Sequence, residues 1–410
     1  MTTRKQNARS LSLLILVPVL SLTALPAAAS DVAALIKDGK FLLDFRYRLE
    51  TVDQAGLPQE ATAHTVRART GFQTGKINGF SLLAEAETVA HMNQSFNDSL
   101  NGKTRRPVIA DPDGMELNRL QVDYTGLPKT SITVGRQRLN LDNQRFIGAV
   151  GFRQNEQTLD AVKINSQAID KLDLTYAYVA QVNRVFSHKS PQGAFEGDSH
   201  LFNAGLTLAP IAKVTGYGYL LDLEEQPLLS TATYGGRVAG KVTLDKVALT
   251  YAADYAHQSD YEGNPRDISL DYVGLELTAS YAGISVGGGY ESLEGDGVRG
   301  FATPLATLHK FQGYADVFLT TPANGVTDAY GRIGYETKLD WGRVTGFSAA
   351  LWCHDFEAER IDLSYGSEVN LEAAVKLGPK VTISTKYADY DGDGAFADRK
   401  KFWLSLEYSY

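Results

Sequence analysis

The chain contains a single cysteine, Cys353, among its 410 residues. One cysteine excludes an intramolecular disulfide, so the fold has no covalent cross-link of that kind. Long apolar runs are also missing, because beyond residue 30 no stretch reaches the roughly 18 consecutive apolar residues of a membrane-spanning helix. Methionine is scarce and long helical periodicity is nearly absent, whereas glycine and tyrosine are frequent. These features argue against a bundle of transmembrane helices and favour a β-rich fold.

The first 30 residues have the composition of a secretory leader. Basic residues precede an apolar run over residues 11–25, and Ala27-Ala28-Ala29-Ser30 follows. This layout predicts a cleaved signal peptide over residues 1–29. A short anchor helix is the alternative, but Pro18 interrupts the run and the run is shorter than a spanning helix. We therefore expect an exported protein.

Strict alternation of apolar and polar residues marks the end of the chain. In KFWLSLEYSY every second residue from Phe402 to Tyr410 is apolar or aromatic, which predicts a strand with one apolar face. The same alternation recurs over residues 172–183, 247–256 and 369–377, and the opposite faces carry charged or small side chains. A lipid-facing exterior and a water-filled interior account for both faces.

Connection lengths alternate as well, which predicts a closed barrel. Short turns such as residues 126–129 and 378–380 alternate with long polar segments. Both termini of a bacterial outer-membrane barrel lie on the periplasmic side, so the strand count is even. Counting every candidate strand gives an odd number, which is one more than an even count allows. We therefore assign the segment HKFQGYADVFL at 309–319 to an external loop that folds into the lumen.

The predicted fold class is therefore all-β. We expect a single transmembrane antiparallel β-barrel of 18 strands over residues 41–410, with short periplasmic turns and long extracellular loops. Residues 30–40 form a periplasmic segment ahead of the barrel. The expected location is the outer membrane of a Gram-negative bacterium, in contact with its lipid and lipopolysaccharide. We also expect the alternating aromatic terminus, with Tyr410 at its end, to be recognised by the barrel-assembly machinery.

Alternation also predicts which charges point inward. If Leu43 and Phe45 face lipid, Arg46 and Arg48 face the lumen, and the same reasoning turns arginines of the next strands inward. Clustered guanidinium groups in a wet pore stabilise an anion there. A balanced ladder of paired charges is the alternative, because Glu85, Glu87 and Asp123 are available as partners from the intervening strands. Both interpretations remain open from the sequence.

One arginine-rich stretch breaks the simple alternation. In GRQRLNLDNQRFIGAVGFRQNEQTLDA, residues 135–161, period two would send Arg136 and Arg138 to lipid, at a cost of about 2–4 kcal/mol each near the bilayer midplane. A β-bulge at Gly135 would turn both arginines into the lumen. Alternatively the strand leaves the membrane at Arg136, which would place the arginines at the rim of the barrel.

Two segments resemble a known family. Gly135-Arg136-Gln137, the NQRFIG motif at 143–148 and Arg153-Gln154 resemble the signature region of the alginate-export family of outer-membrane β-barrels, and residues 309–325 resemble a second family segment. The resemblance implies an 18-stranded barrel whose arginine-rich constriction passes a polyuronate outward in its best-known members. The candidate pore-lining residues are Arg46, Arg48, Arg67, Arg69, Arg119, Arg136, Arg138, Arg145 and Arg153, together with Lys310 and Asp316.

The expected function is a passive channel for anionic polysaccharide, sugar acids or other small anions. A general diffusion porin with a balanced charge ladder is the alternative, and a closed structural barrel is a further one. A barrel hydrolase would need a nucleophile beside a base, or paired carboxylates. Glu85 and Glu87 share a face, as do Ser348 and His354, but neither pair forms a motif. We therefore expect no enzymatic activity.

Metal-binding signals are weak. Asp389, Asp391 and Asp393 resemble the start of an EF-hand loop and make calcium in an external loop a candidate, but Lys400 stands where the bidentate glutamate is expected. A solvated acidic loop is the alternative interpretation. The histidines show no metal-binding spacing and are interpreted as wall or loop residues. No other cofactor and no nucleic-acid partner is expected.

Overall fold

Antiparallel strands pair in chain order until the chain closes on itself. The computed structural model describes residues 35–209 and 211–410, so the predicted leader lies outside the described residues. Within that part of the chain, 18 strands form one sheet, and β1 pairs with β18 as well as with β2. The predicted closed barrel of 18 strands is confirmed. No helix in the described ranges is long and apolar enough to cross a membrane.

The strands begin close to the predicted positions, and most are long enough to cross a bilayer with tilt. They are β1 (Lys40–Gln54), β2 (Ala61–Gln73), β3 (Phe80–His91), β4 (Gly114–Leu127), β5 (Thr130–Gln137), β6 (Thr158–Ser166), β7 (Leu172–Asn183), β8 (Ala194–Ala209), β9 (Ala212–Leu221), β10 (Thr231–Leu244), β11 (Val247–Asp260), β12 (Ser269–Tyr281), β13 (Ile284–Leu293), β14 (Val326–Trp341), β15 (Val344–Glu357), β16 (Ser364–Leu377), β17 (Val381–Gly392) and β18 (Arg399–Ser409).

Short turns lie at one edge of the barrel and long loops at the other, called here the turn edge and the loop edge. The three longest loops are L2 (residues 92–113), L3 (138–157) and L7 (294–325). The segment at 309–319 lies within L7 and forms no strand. Its backbone enters the lumen, where the Ala315 amide donates to Glu368 of β16 at 2.9 Å. Excluding this segment from the strand count was therefore correct.

Side chains alternate across the wall as the sequence predicts. Leu43 and Phe45 of β1 are exposed on the outer face, whereas Arg46, Arg48 and Glu50 are buried on the inner face. This division follows from the pleat, which points successive side chains to opposite sides of a strand. The inward direction predicted for the charged residues of β1 is confirmed.

Bulges reverse the alternation at two places that the sequence does not reveal. The β3–β4 register skips Asn118, so Asn118 and Arg119 both reach Glu85 on the inner face. The β7 register skips Ala180, and Val182 is consequently buried rather than lipid-facing. An inserted residue shifts the pleat by one position and thereby exchanges the two faces beyond it.

The lumen is not simply filled with water, because L3 and L7 pack inside it. The Gly148 amide donates to the Leu305 carbonyl at 2.8 Å, and the Thr307 amide donates to the Gln144 carbonyl at 3.1 Å. Apolar side chains of both loops and of the wall form one buried cluster, which includes Leu139, Ile147, Phe301, Leu305, Phe318, Tyr272, Phe356 and Trp403. Each large apolar side chain buried this way contributes roughly 1.5–3 kcal/mol. L3 and L7 are therefore held firmly inside the barrel.

Gly135 is strained, but it does not form a bulge. The ladder runs without a register shift through Gly135 on both sides, pairing it with Gln121 and Ala161. Its φ is +114°, and a Cβ atom there would lie 2.3 Å from the Leu120 carbonyl oxygen. Because no residue is inserted, Arg136 stays on the outer face at the loop-edge end of β5. The bulge interpretation was wrong.

Substituting Gly135 by alanine is expected to destabilise the barrel, because an L side chain is disfavoured at this φ and its Cβ meets a carbonyl. The expected loss is about 1–3 kcal/mol of unfolding free energy, measured by urea unfolding of the protein in detergent micelles. Gly216→Ala is the matched control, since a Cβ at that position meets nothing within 4 Å. Equal unfolding midpoints for the two variants would contradict the assignment of strain to Gly135.

Candidate functional site: the lumen and its charged groups

Arginines of the first four strands meet carboxylates across the lumen wall. Arg46 Nε lies 2.8 Å from Glu407 on the closing strand β18. Arg119 binds Glu85 through two hydrogen bonds of 2.8 Å. Two further pairs join Arg67 to Asp44 and Arg69 to Glu87. Forked guanidinium contacts of this kind satisfy the carboxylates and neutralise the wall locally.

A second group of charges lies between the wall and the loops and is largely buried. Arg153 of L3 contacts Glu50 at 3.2 Å, Asp111 of L2 at 3.6 Å and Asp316 of L7 at 3.4 Å. Arg48 lies beneath the Phe152 ring and 3.9 Å from Asp111. These contacts hold three loops to one another and to the wall, so the charges have a positioning role.

L3 supplies two more arginines that are also paired. Arg138 binds Glu156, which additionally accepts a 2.7 Å hydrogen bond from Asn118. Arg145 is almost fully buried and lies 2.7 Å from Glu291 of β13, with the Phe311 ring 4.7 Å from its guanidinium carbon. Because Glu156 belongs to L3 and also lies 3.2 Å from Arg69 of β2, L3 makes one ion pair to the wall through Glu156 and another through Arg145.

The outer face carries one of the predicted pore residues. Arg136 makes two hydrogen bonds to Asp160 of the neighbouring strand, at 2.7 and 2.8 Å. Both residues share the face of the exposed Val134 and Val162. A paired arginine at the strand end avoids the cost of an isolated charge in lipid. Arg136 does not line the pore, whereas Arg138, beyond the end of β5, turns into the lumen.

The predicted arginine cluster is therefore a balanced ladder rather than an open cationic surface. Each of its members contacts a carboxylate, and Arg48, Arg67 and Arg145 are buried too deeply to contact a solute. Arg119 and Arg138 are half-buried. Together with the buried Arg69 they border a cavity of about 430 Å³ towards the turn edge, which is also lined by Asp44, Glu85 and Glu156.

The larger cavity lies on the opposite side of the lumen. It has a volume of about 600 Å³ and is lined by residues of L3, L7, β10 to β15 and β17. Its lysine and arginine side chains are Lys310, Arg332, Arg237 and Lys386, and its acidic side chains are Glu276, Glu291 and Asp328. Arg237 contacts Asp254 at 3.1 Å and Lys386 lies 3.8 Å from Glu372. Of the cations that border this open space, Lys310 alone was among those that the sequence singled out.

Lys310 and Arg332 differ from the other cations of this cavity. In the described part of the chain neither contacts a carboxylate within ion-pair distance. Lys310 donates to the Asn143 carbonyl at 3.1 Å, and Arg332 donates to the Ser285 hydroxyl at 2.9 Å. The Arg332 guanidinium also lies 5.0 Å from the centre of the Trp352 ring. Their charge remains available to a solute in the cavity.

Sequence reasoning missed Arg237, Arg332 and Lys386. Each is an isolated cation in a later strand, and it is separated in sequence from the arginine-rich segments of the first half of the chain. The signal that could have found them is strand alternation. In β14 it places Arg332 opposite the exposed Ile333, and therefore on the inner face.

Hydrogen bonds and ion pairs of Asp316 hold L7 in the lumen. This carboxylate accepts hydrogen bonds from His309 at 2.8 Å and from Lys401 of β18 at 2.5 Å. Burial alone would raise the pKa of Asp316, but Lys401, His309 and Arg153 hold it well below its ordinary value. Burial lowers the pKa of His309 to about 3, so its ring is neutral where it stacks on Phe152. Asp316 is therefore a buried anchor and not an accessible pore residue.

The other weak sequence signals find little geometric support. Asp389 contacts Lys400 at 3.2 Å, and the oxygens of Asp389, Asp391 and Asp393 do not converge within 4.8 Å of one another. Glu85 and Glu87 each bind an arginine, and His354 binds Asp328 at 2.9 Å. The residues considered for calcium and for hydrolysis are thus engaged with structural partners or separated.

Comparisons with known proteins agree with this geometry. A family model described as alginate export matches residues 39–266, more than half of the chain. The crystal structure of Pseudomonas aeruginosa OpdO is similar with a TM-score of 0.68 at 15% identity, over 92% of this chain and 99% of that one. Acinetobacter baumannii OccAB4 gives a TM-score of 0.69 at 15% identity, over 91% and 98% of the two chains. Among curated sequences no relative matches.

Proposed function

Because the chain belongs to the alginate export family of outer-membrane β-barrels, we propose that it is a channel for small anionic solutes, sugar acids among them, which diffuse through it passively. The observation that carries this proposal is the position of Lys310 and Arg332 in the larger cavity without a carboxylate partner in the described residues. An unpaired cation in a confined space lowers the energy of an entering anion.

The size of the cavity favours small solutes over a polysaccharide strand. A volume of about 600 Å³ lies within the usual range for small-molecule sites. L3 and L7 also occupy the lumen on both sides of this space and are held by buried ion pairs. A polymer would need those loops to move, whereas a sugar acid does not.

A general diffusion porin is the second candidate, and the paired arginine cluster favours it. If the charges of the first strands cancel, the wall around β1 to β4 exerts little net field on passing ions. The two candidates differ in whether the cations of the larger cavity dominate selectivity.

The surroundings of the barrel follow from its outer face. The apolar band that includes Leu404 and Leu406 is exposed on β18, which supports contact with outer-membrane lipid and recognition of this strand during assembly. We place the loop edge outside the cell, facing lipopolysaccharide, and the turn edge in the periplasm.

Reversal potentials in planar bilayers under a potassium chloride gradient test the proposal. We expect a sign that indicates chloride preference, because Lys310 and Arg332 of the larger cavity contact no carboxylate among the described residues. Liposome swelling should be faster with gluconate than with an alginate oligomer. A reversal potential near zero would support the general diffusion porin, and a cation preference would contradict both the expected selectivity and its assignment to Lys310 and Arg332.

A further inference from the structure

Three potential metal ligands meet at the loop edge, although their spacing matches no linear motif. His91 ends β3, Asp98 lies in L2, and Asp113 directly precedes β4. One ligand atom from each of these side chains lies within 4.8 Å of the other two. Among the described residues, no other group of histidine, cysteine and carboxylate side chains converges in this way. The folding of L2 brings them together.

The hydrogen bond of the His91 ring determines where its proton resides. Nε2 lies 2.7 Å from the Asp111 carbonyl oxygen, which can only accept, so Nε2 carries the hydrogen. In the neutral imidazole Nδ1 therefore presents a lone pair. A metal-binding histidine typically donates its other ring N–H to a carbonyl or carboxylate in just this manner.

The Nδ1 lone pair faces another acceptor in a buried place. Asp98 Oδ2 lies 4.0 Å from Nδ1, and the two side chains are only 5% and 6% exposed. Two acceptors that face each other without a donor between them are unfavourable away from water. A cation between them would remove this conflict.

The carboxylate of Asp98 is held ready for such a cation. Its Oδ1 atom accepts the backbone amides of Leu100 and Asn101, each at 2.7 Å, which orients the group and leaves Oδ2 free. Asp113 is exposed at the rim of the site. Its position gives a metal ion access from solvent, and its carboxylate supplies the third ligand.

We propose that His91, Asp98 and Asp113 bind one divalent transition-metal ion, with Zn²⁺ as the best fit. An imidazole nitrogen with carboxylate oxygens suits zinc, whereas calcium prefers a shell of oxygens alone. Three protein ligands leave a position for water. The ion joins the end of β3, loop L2 and the start of β4, and it stabilises the mouth of the barrel.

The ion also steadies the contact between L2 and L3. Asp111, whose carbonyl orients His91, accepts the Gln154 amide of L3 through its carboxylate at 2.8 Å. The same carboxylate lies near Arg48 and Arg153. Metal binding at the rim is therefore coupled to the ion-pair network that holds L3 in the lumen.

Zinc titration of the full-length, tag-free protein folded in detergent tests the proposal, with a chromogenic chelator as competitor. We expect binding of about one equivalent, as for a single site with three protein ligands, and its loss in His91→Ala and Asp98→Asn. His257→Ala is the matched control, because Nδ1 of His257 also faces an aspartate carboxylate, that of Asp271 at 2.6 Å on the outer face. X-ray absorption at the zinc edge should show one imidazole nitrogen among oxygen ligands.

The variant Asp113→Asn tests the proposal even if the substitutions of His91 and Asp98, which are buried, prevent folding. This exposed residue can be substituted without disturbing the barrel, and heat-dependent gel mobility verifies that the variant is folded. The affinity of the variant for zinc should fall by roughly tenfold or more. Absence of zinc binding by the wild type would overturn the proposal. Equal binding by wild type, His91→Ala and Asp113→Asn would overturn it as well. Neither result bears on solute selectivity.

Discussion

The double substitution Lys310→Gln and Arg332→Gln is expected to remove most of the anion preference of the channel. These are the cations of the larger cavity that contact no carboxylate in the described part of the chain. Loss of about 1.4 kcal/mol of favourable potential lowers the relative permeability of an anion by about tenfold. The chloride-to-potassium permeability ratio, taken from reversal potentials, should fall by about that factor.

Arg136→Gln is the matched control for this experiment. It also removes an arginine from the loop-edge half of the barrel, but its guanidinium lies on the outer face with Asp160. Its reversal potential should equal that of the wild type. An unchanged permeability ratio in the double variant, or an equal loss in Arg136→Gln, would show that the larger cavity does not set selectivity.

Asp316→Asn is expected to release L7 from its position in the lumen. The substitution removes the negative charge shared by Lys401, Arg153 and His309, whose side chains are at most 12% exposed. Removal of one partner from a buried ion pair typically costs about 3–5 kcal/mol. Single-channel recordings should show a higher conductance with more frequent fluctuations, because L7 occupies the lumen and becomes mobile.

Limited proteolysis gives a second measurement of the same change. Trypsin should cleave the Asp316→Asn variant within L7, where Arg299 and Lys310 are the basic residues, faster than it cleaves the wild type. Asp393→Asn serves as control, because Asp393 is exposed in the loop before β18. If Asp316→Asn matches this control in conductance and in cleavage rate, L7 is held by its apolar contacts rather than by Asp316.

For the arginine-rich segments, the local sequence pattern predicted the direction of the side chains but not their partners. Alternation correctly placed Arg46, Arg67 and Arg119 inside the barrel, because period two follows directly from the pleat of a strand. It could not reveal their partners. Arg46 pairs with Glu407 only because β18 closes on β1, a contact between opposite ends of the chain. The choice between an anion-attracting surface and a balanced ladder depended on such contacts.

The roles of the loop residues are a second feature that the sequence alone could not predict. The parity of the strand count identified 309–319 as a loop, but the role of Asp316 follows from contacts with residues of β18 and L3. Similarly, the spacing of His91, Asp98 and Asp113 carries no metal signature until L2 folds back over β3. Loop conformation depends on packing against distant elements, which no local period encodes.

The sequence by itself determined the class of fold, the strand count and the faces of most strands, because each follows from a short-range repeat and from alternating turn lengths. The tertiary structure alone decided that Gly135 is strained without a bulge, so that Arg136 faces outward. It alone also decided that the arginines are paired and that the larger cavity lies against β10 to β15 and β17. The physical reason is that charges and loops are positioned by partners far away in the chain, which meet only when the barrel closes.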